Sequence, residues 1–277
     1  MKAIIQHNFT SGLGDCIVAC TEYISTAQKL KSLGFSIDLK IYTENNLYYN
    51  NLNLFDILNE HNFINLFDNI DHISSTYKTI NNFEISHLSY GAREAGLHWW
   101  DLFTDYPIDP SIIDTFPNVG HDFNNIPNFN LIDFSSEVYD IYNNLKLKND
   151  YICLHVRTQD LNDEMYLYEN NLDKINNLYD QYNTIFVCSN SFSIKKELLK
   201  LSKTISIQHP LEDSMGSHHC YRNKIPNDIA KQKTLLSAAE ILAINYAKEI
   251  FLLTSWHRIS NFLFYPIVNK TKVTSWL

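Results

Sequence analysis

YICLHVRTQD, residues 151–160, joins a short apolar run to a cluster of charged and polar side chains. The run Tyr151-Ile152-Cys153-Leu154 follows the polar break Lys148-Asn149-Asp150 and reads as a buried strand. His155, Arg157 and Asp160 then fall at the strand's carboxyl end, the edge at which open parallel α/β sheets bind ligands. An arginine there carries a permanent charge on a planar fork of donors, which suits a phosphate or a carboxylate. A surface ion pair is the plainer alternative, and the rest of the chain has to separate the two.

Outward from this stretch, strands alternate with helices in both directions. Toward the N-terminus, residues 3–5 form an apolar strand, Ser11-Gly12-Leu13-Gly14-Asp15 a glycine turn, and residues 17–33 a helix with a stripe at Ile17, Thr21, Ile24, Ala27, Leu30 and Leu33. Gly34 closes that helix and residues 35–42 alternate as the next strand, so the whole is a βαβ unit. Residues 47–73 read as short helices around one more strand, and residues 83–88 as a strand followed by the loop GAREAGLHWWD, residues 91–101. Prolines 107, 110, 117 and 127 mark a joint, with a helix over 136–147 leading to the second half. There, strands at 151–154, 184–188, 204–208 and 249–253 alternate with helices at 170–182, 193–201, 228–247 and 258–265. The expected fold is α/β, with two Rossmann-like, doubly wound domains, residues 1–147 and 148–277, facing across a cleft.

Composition narrows the setting. The chain has 277 residues, enough for two domains of about 150, and its 45% hydrophobic and 19% charged content is that of a folded globule. Its 22 Lys and Arg against 31 Asp and Glu give a net charge of −9, which repels nucleic acid and anionic membranes. Nucleic acid is therefore not an expected partner. Cys16, Cys20, Cys153, Cys188 and Cys220 are odd in number and include no C-x-x-C pair, which fits reduced, buried thiols. Neither a signal peptide nor an apolar stretch of membrane-spanning length is visible, so the expected setting is cytoplasmic, with peripheral membrane association left open.

Three strand-to-helix junctions carry candidate chemistry. In Gly12-Leu13-Gly14-Asp15 two glycines let backbone approach a ligand while the helix start offers N–H groups to an anion, although the pattern lacks the third glycine of a dinucleotide fingerprint. Thr254-Ser255 follows an apolar strand and precedes a helix, which makes it either a phosphate-binding helix start or an ordinary N-cap. Ser189-Asn190 ends another strand, where it either contacts a ribose or base or closes a local turn. His218-His219 lacks metal-ligand spacing, and no carboxylate-x-carboxylate pair exists for a metal–nucleotide clamp, so no metal is expected.

Taken in order, these segments resemble the GDP-fucosyltransferase superfamily of GT-B glycosyltransferases. SGLGDCIVA (residues 11–19) is similar to its G-G-x-G-N opening, LHVRTQD (154–160) to its H-x-R-x-x-D segment, IFVCSNS (185–191) to a strand that usually ends S-D, and FLLTSWHRISNF (251–262) to its T-S-x-S-x-F segment. Asp15 stands where the family has Asn, Asn190 where it has Asp, and Thr158 where Arg is common. The resemblance implies an inverting, metal-independent transferase with a nucleotide-sugar donor, GDP-fucose, a glycan acceptor and no cofactor. Arg157 would grip the diphosphate, with Gly12, Leu13, Gly14, Asp15, His155, Asp160, Ser189, Asn190, Thr254 and Ser255 completing the donor site. A general base is expected from the first domain's side of the cleft, with Glu94, His98 and Asp101 as candidates and Asp15 and Asp160 also near the cleft edge. Trp99 and Trp100 read either as a sugar-stacking pair or as core. The GLGD turn also resembles the ADP-heptose heptosyltransferases, and a catalytically silent binder on the same fold is the third reading.

Overall fold

A computed structural model describes residues 1–8, 13–43, 53–75, 88–90, 100–109, 111, 131–147, 150–156, 163–189, 191–210, 226–253 and 272–276. The chain divides into two compact units, Met1–Ser135 and Ser136–Leu277.

In the first unit, β1 (Lys2–Asn8) leads into α1 (Leu13–Ser32) and β2 (Ser36–Tyr42). A 3-10 turn (Leu54–Asp56), the short helix α2 (His61–Ile64) and β3 (Asn69–Ile73) follow, and then β4 (Leu88–Tyr90) and β5 (Trp100–Thr104). The sheet order is β3-β2-β1-β5-β4. Strands β1, β2 and β3 are parallel, whereas β5 runs antiparallel to both β1 and β4. The first sheet is thus mixed and not purely parallel as expected. Trp100 and Asp101, read from sequence as loop, open a strand whose five residues are all buried.

Helix α1 follows its stripe as far as Leu30: Ile17, Ile24, Ala27 and Leu30 are buried, the Ile and Leu side chains each contributing about 1.5–3 kcal/mol where fully buried, whereas Leu33, expected to end the stripe, lies past the helix and is 37% exposed. Thr21 joins the stripe because its hydroxyl donates to the Val18 carbonyl at 2.8 Å, so its own donor is met. The helix ends on Gly34 at φ +86°, with the Phe35 N–H returning to the Leu30 carbonyl at 3.1 Å. It begins at Leu13, four residues ahead of the expected start at 17, so Gly14 lies in its first turn.

The second unit comprises α3 (Ser136–Asn144), β6 (Ile152–Val156), α4 (Asp163–Asn170), α5 (Leu172–Gln181), β7 (Ile185–Ser189), α6 (Phe192–Leu198), β8 (Thr204–Ile205), α7 (Asn227–Asn245), β9 (Glu249–Leu253) and β10 (Lys272–Ser275). Helix α3 packs on α7, with Val138 fully buried and the Tyr142 and Tyr246 rings 5.5 Å apart. The division therefore falls before α3, ahead of the boundary at 147 read from the sequence. All five strands are parallel in the order β10-β9-β6-β7-β8. Strand β6 is central and buried throughout, as a parallel strand covered on both faces must be. Ile152, Leu154 and Val156 pack with Ile175, Leu178, Val187, Ile194 and Leu253 in one apolar cluster.

Candidate functional site

The parallel ladder of the second unit brings its strand ends level. Val156, the last residue of β6, pairs with Ser189 at the end of β7 and with Leu253 at the end of β9. One peptide bond beyond these three lie Arg157, Asn190 and Thr254 in the chain. The strands that precede Arg157, Asn190 and Thr254 thus end level at the carboxyl edge of one parallel sheet, the edge at which open parallel α/β sheets bind ligands. Gly12, Glu94, His98, Arg157, Asp160, Asn190, Thr254 and Ser255 themselves lie outside the described residues, as do Trp99, Cys220 and His218-His219.

His155 is described, and it sits inside β6 and not beyond it. It is 5% exposed, paired in register with Cys188 and Leu252, so it supports the strand end from within the sheet. The Ser189 hydroxyl accepts the Ser191 N–H at 3.0 Å, and the Ser191 and Ser193 hydroxyls stand 3.1 Å apart, which makes this junction a serine turn leading into α6.

A charged cluster that the sequence did not announce holds the same edge. Glu240 of α7 lies 3.1 Å from His209 Nε2 and 3.5 Å from Lys195 Nζ, and Lys195 also donates to the Ile207 carbonyl at 3.0 Å. Burial pushes the Glu240 carboxyl up, but His209 and Lys195 outweigh it and hold the group at about 2. Burial first, and Glu240 second, push the Cys188 thiol well above its ordinary range. The cluster pins the segment after β8 to α6 and α7. No local signal marks it, because Lys195, His209 and Glu240 meet only through the fold.

In the first unit, Leu13 is buried and Gly14 half-buried at the start of α1, while Asp15 occupies the same helical turn. Trp100 is fully buried and its Nε1–H donates to Glu22 Oε2 at 2.7 Å. Of the two roles read from the sequence, Trp100 takes the core one, its ring packing edge-on against Tyr23 with centroids 6.2 Å apart. Burial pushes the Glu22 carboxyl up to about 8, against the Trp100 hydrogen bond that holds it down. Nearby, burial lowers His7 to about 3, so its imidazole is neutral, with Nδ1 3.3 Å from the Tyr23 hydroxyl. Asp101 is 3% exposed, and burial raises its carboxyl to about 6. Of the other base candidates, Glu94, His98 and Asp160 lie outside the described residues. Cys16, Cys20, Cys153 and Cys188 are all buried thiols, as read from the sequence. Among the described residues no three His, Cys, Asp or Glu side chains gather as a metal-binding group, and no helix is long and apolar enough to cross a membrane.

This α/β arrangement, a mixed five-stranded sheet followed by a parallel one, has the fold of solved GT-B fucosyltransferases. Three crystal structures carry the likeness. The fucosyltransferase NodZ from Bradyrhizobium aligns with 100% of this chain and 95% of its own at TM-score 0.56 and 12% identity. NodZ alpha-1,6-fucosyltransferase soaked with GDP-fucose aligns over 99% and 94% at TM-score 0.55 and 12% identity. The same enzyme co-crystallized with GDP aligns over 100% and 96% at TM-score 0.54 and 11% identity. No family model and no curated protein sequence matches the chain.

Proposed function

We propose that the chain is an inverting, metal-independent glycosyltransferase that moves fucose from GDP-fucose to a hydroxyl of a glycan acceptor. The observation that carries the reading is the level edge of β6, β7 and β9, from which Arg157, Asn190 and Thr254 follow directly. The likeness to structures of a fucosyltransferase soaked with GDP-fucose and co-crystallized with GDP supports the choice of donor. Arg157 binds the diphosphate in a fork of two hydrogen bonds, and Thr254-Ser255 add hydroxyl and backbone donors. As the sugar–phosphate bond lengthens, negative charge grows on the departing GDP, and these fixed donors stabilise it without a metal or other cofactor. The acceptor oxygen attacks from the opposite face, so configuration at the anomeric carbon inverts, and its proton passes to a base.

The test is release of GDP from GDP-fucose in the presence of glycan acceptors, comparing the wild type with Arg157→Ala. The variant is expected to keep its melting temperature within a few degrees and lose at least about 100-fold in turnover, the scale of one missing transition-state donor. A variant that melts much earlier yet still turns over would reduce Arg157 to a structural ion pair. Release with ADP-heptose and not GDP-fucose would favour the heptosyltransferase reading that the GLGD turn raises.

A further inference from the structure

Helix α6 carries an aromatic residue on its polar face. The inward positions recur as a helix requires: Ser191 at the cap, then Ile194, Lys195 and Leu198, are all buried. Between them Ser193, Lys196 and Glu197 are exposed, and Phe192 joins that outer face at 36% exposure. A single surface aromatic needs no explanation by itself, so its place in the fold decides what it can do.

Phe192 is the first residue of α6, three after Ser189 at the end of β7. The start of α6 therefore stands at the carboxyl edge of the parallel sheet, the edge that β6, β7 and β9 reach together. Side chains on an α-helix lean toward its N-terminus, so the Phe192 ring leans out over that edge. Leu201 and Tyr246, exposed beyond the ends of α6 and α7, precede β8 and β9 and so fall at the opposite edge. Among the described residues Phe192 is the one large exposed apolar side chain within three residues of a strand's carboxyl end in this sheet.

The mount is rigid. On either side of Phe192 the Ser191 and Ser193 hydroxyls stand 3.1 Å apart, and the Ser189 hydroxyl accepts the Ser191 N–H at 3.0 Å. One turn on, Lys195 ties the helix to the Ile207 carbonyl at 3.0 Å and to Glu240 of α7 at 3.5 Å. A ring held in place this way loses little freedom when a flat partner settles on it. The topology says which partner can reach it. In the order β10-β9-β6-β7-β8, strands β7 and β8 lie to one side of β6, and β9 and β10 to the other. The switch point is thus the gap between β6 and β9, where sheets of this kind bind nucleotides. Neighbouring strands lie about 4.8 Å apart, so β7 stands about 7 Å from the middle of that gap, within the reach of one nucleoside.

We propose that Phe192 is the stacking platform for the nucleobase of the donor. This rests on the nucleotide-sugar reading above and assigns the base to the β7 side of the second unit's sheet. An apolar ring at a rim otherwise lined by serines suits the π face of a base and offers nothing to a phosphate. Stacking accepts any base and strengthens with ring area, so Phe192 supplies affinity for the nucleoside and favours a purine over a pyrimidine. The choice of guanine over adenine falls to other groups.

The test is titration calorimetry of the whole chain with GDP, UDP and pyrophosphate, for the wild type, Phe192→Ala, Phe192→Leu and Phe192→Tyr. Phe192→Ala is expected to weaken GDP about 5- to 150-fold, the worth of one base stacked on an aromatic ring, and UDP by less, with pyrophosphate binding unchanged. Phe192→Leu keeps apolar bulk without the flat face and should also weaken GDP, whereas Phe192→Tyr should bind it as the wild type does. The side chain lies on the outer face of α6, so all three variants should melt with the wild type. A GDP affinity in Phe192→Ala within about twofold of the wild type overturns the proposal and leaves the nucleotide reading intact. Equal losses of GDP and pyrophosphate overturn it too, since they report a distorted edge and not a lost stack, as does a wild type that binds GDP no more tightly than pyrophosphate. A wild type that binds neither removes the donor reading and this proposal together.

Discussion

Replacing Glu22 with Gln should stabilise the protein, and by an amount that grows with pH. Glu22 is 2% exposed, it accepts from the Trp100 indole, and burial lifts its carboxyl to about 8 against an ordinary 4.5. Between those values the folded chain keeps a proton that the unfolded chain gives up. The folded state therefore binds more protons, and stability falls as pH rises through this window. Each pH unit is worth about 1.4 kcal/mol, so at pH 7.5, three units above the unfolded value, the cost is about 4 kcal/mol. Glutamine reproduces the protonated acid: its carbonyl accepts the Trp100 N–H and it needs no proton. Urea denaturation followed by circular dichroism should show the two proteins within about 1 kcal/mol at pH 5 and the variant ahead by about 3–4 kcal/mol at pH 7.5, on the same reasoning. His7, lowered to about 3, tilts stability the other way below pH 6.5, but it does so equally in both proteins and cancels from the difference. A difference that stays flat from pH 5 to 8, or a variant weaker throughout, would refute a buried, protonated Glu22.

Glu240→Gln strips Lys195 and His209 of their shared carboxylate and should cost about 3–5 kcal/mol in the same denaturation experiment, because Lys195 is left charged and buried. Since the Glu240 carboxyl is held at about 2, wild-type stability from this cluster should be complete above pH 4.5 and drain away as pH falls from 4.5 toward 2, a slope the variant lacks. Trp100→Phe removes the donor to Glu22 and part of a fully buried ring, and an expected loss of about 2–4 kcal/mol is checked by its urea midpoint. Gly34→Ala forces a side chain into φ +86°, where the added Cβ meets only Met1 Cε at 3.8 Å; strain without a clash should cost about 1 kcal/mol.

The readable parts of the fold were those whose causes are local. Helix α1 announced itself through its stripe and Gly34, and β6, β7 and β9 through short apolar runs ending in polar turns. Strand β1 was read as residues 3–5 because Gln6 and His7 look like its end. Both are buried, since pairing with β2 and β5 continues to Asn8 and His7, and sequence periodicity does not report pairing. The same blindness hid β5, where Trp100-Asp101 followed a glycine-containing stretch that reads as loop. Strand β10, Lys-Val-Thr-Ser with a single aliphatic residue, had no signal of its own and exists by adding to the edge of β9. The site divides in the same manner. The polar residues that close β6, β7 and β9 were visible as motifs, whereas the Lys195–His209–Glu240 cluster depends on helix packing, which no stretch of sequence carries alone.

The central claim is a GDP site at the level strand ends of the second unit, and titration calorimetry of the whole chain with GDP, UDP and ADP tests it most directly. GDP is predicted to bind at least about tenfold more tightly than either rival, a difference of about 1.4 kcal/mol, with the heat abolished in Arg157→Ala. Equal affinity for the three nucleotides, or an unaltered GDP isotherm in Arg157→Ala, would contradict it.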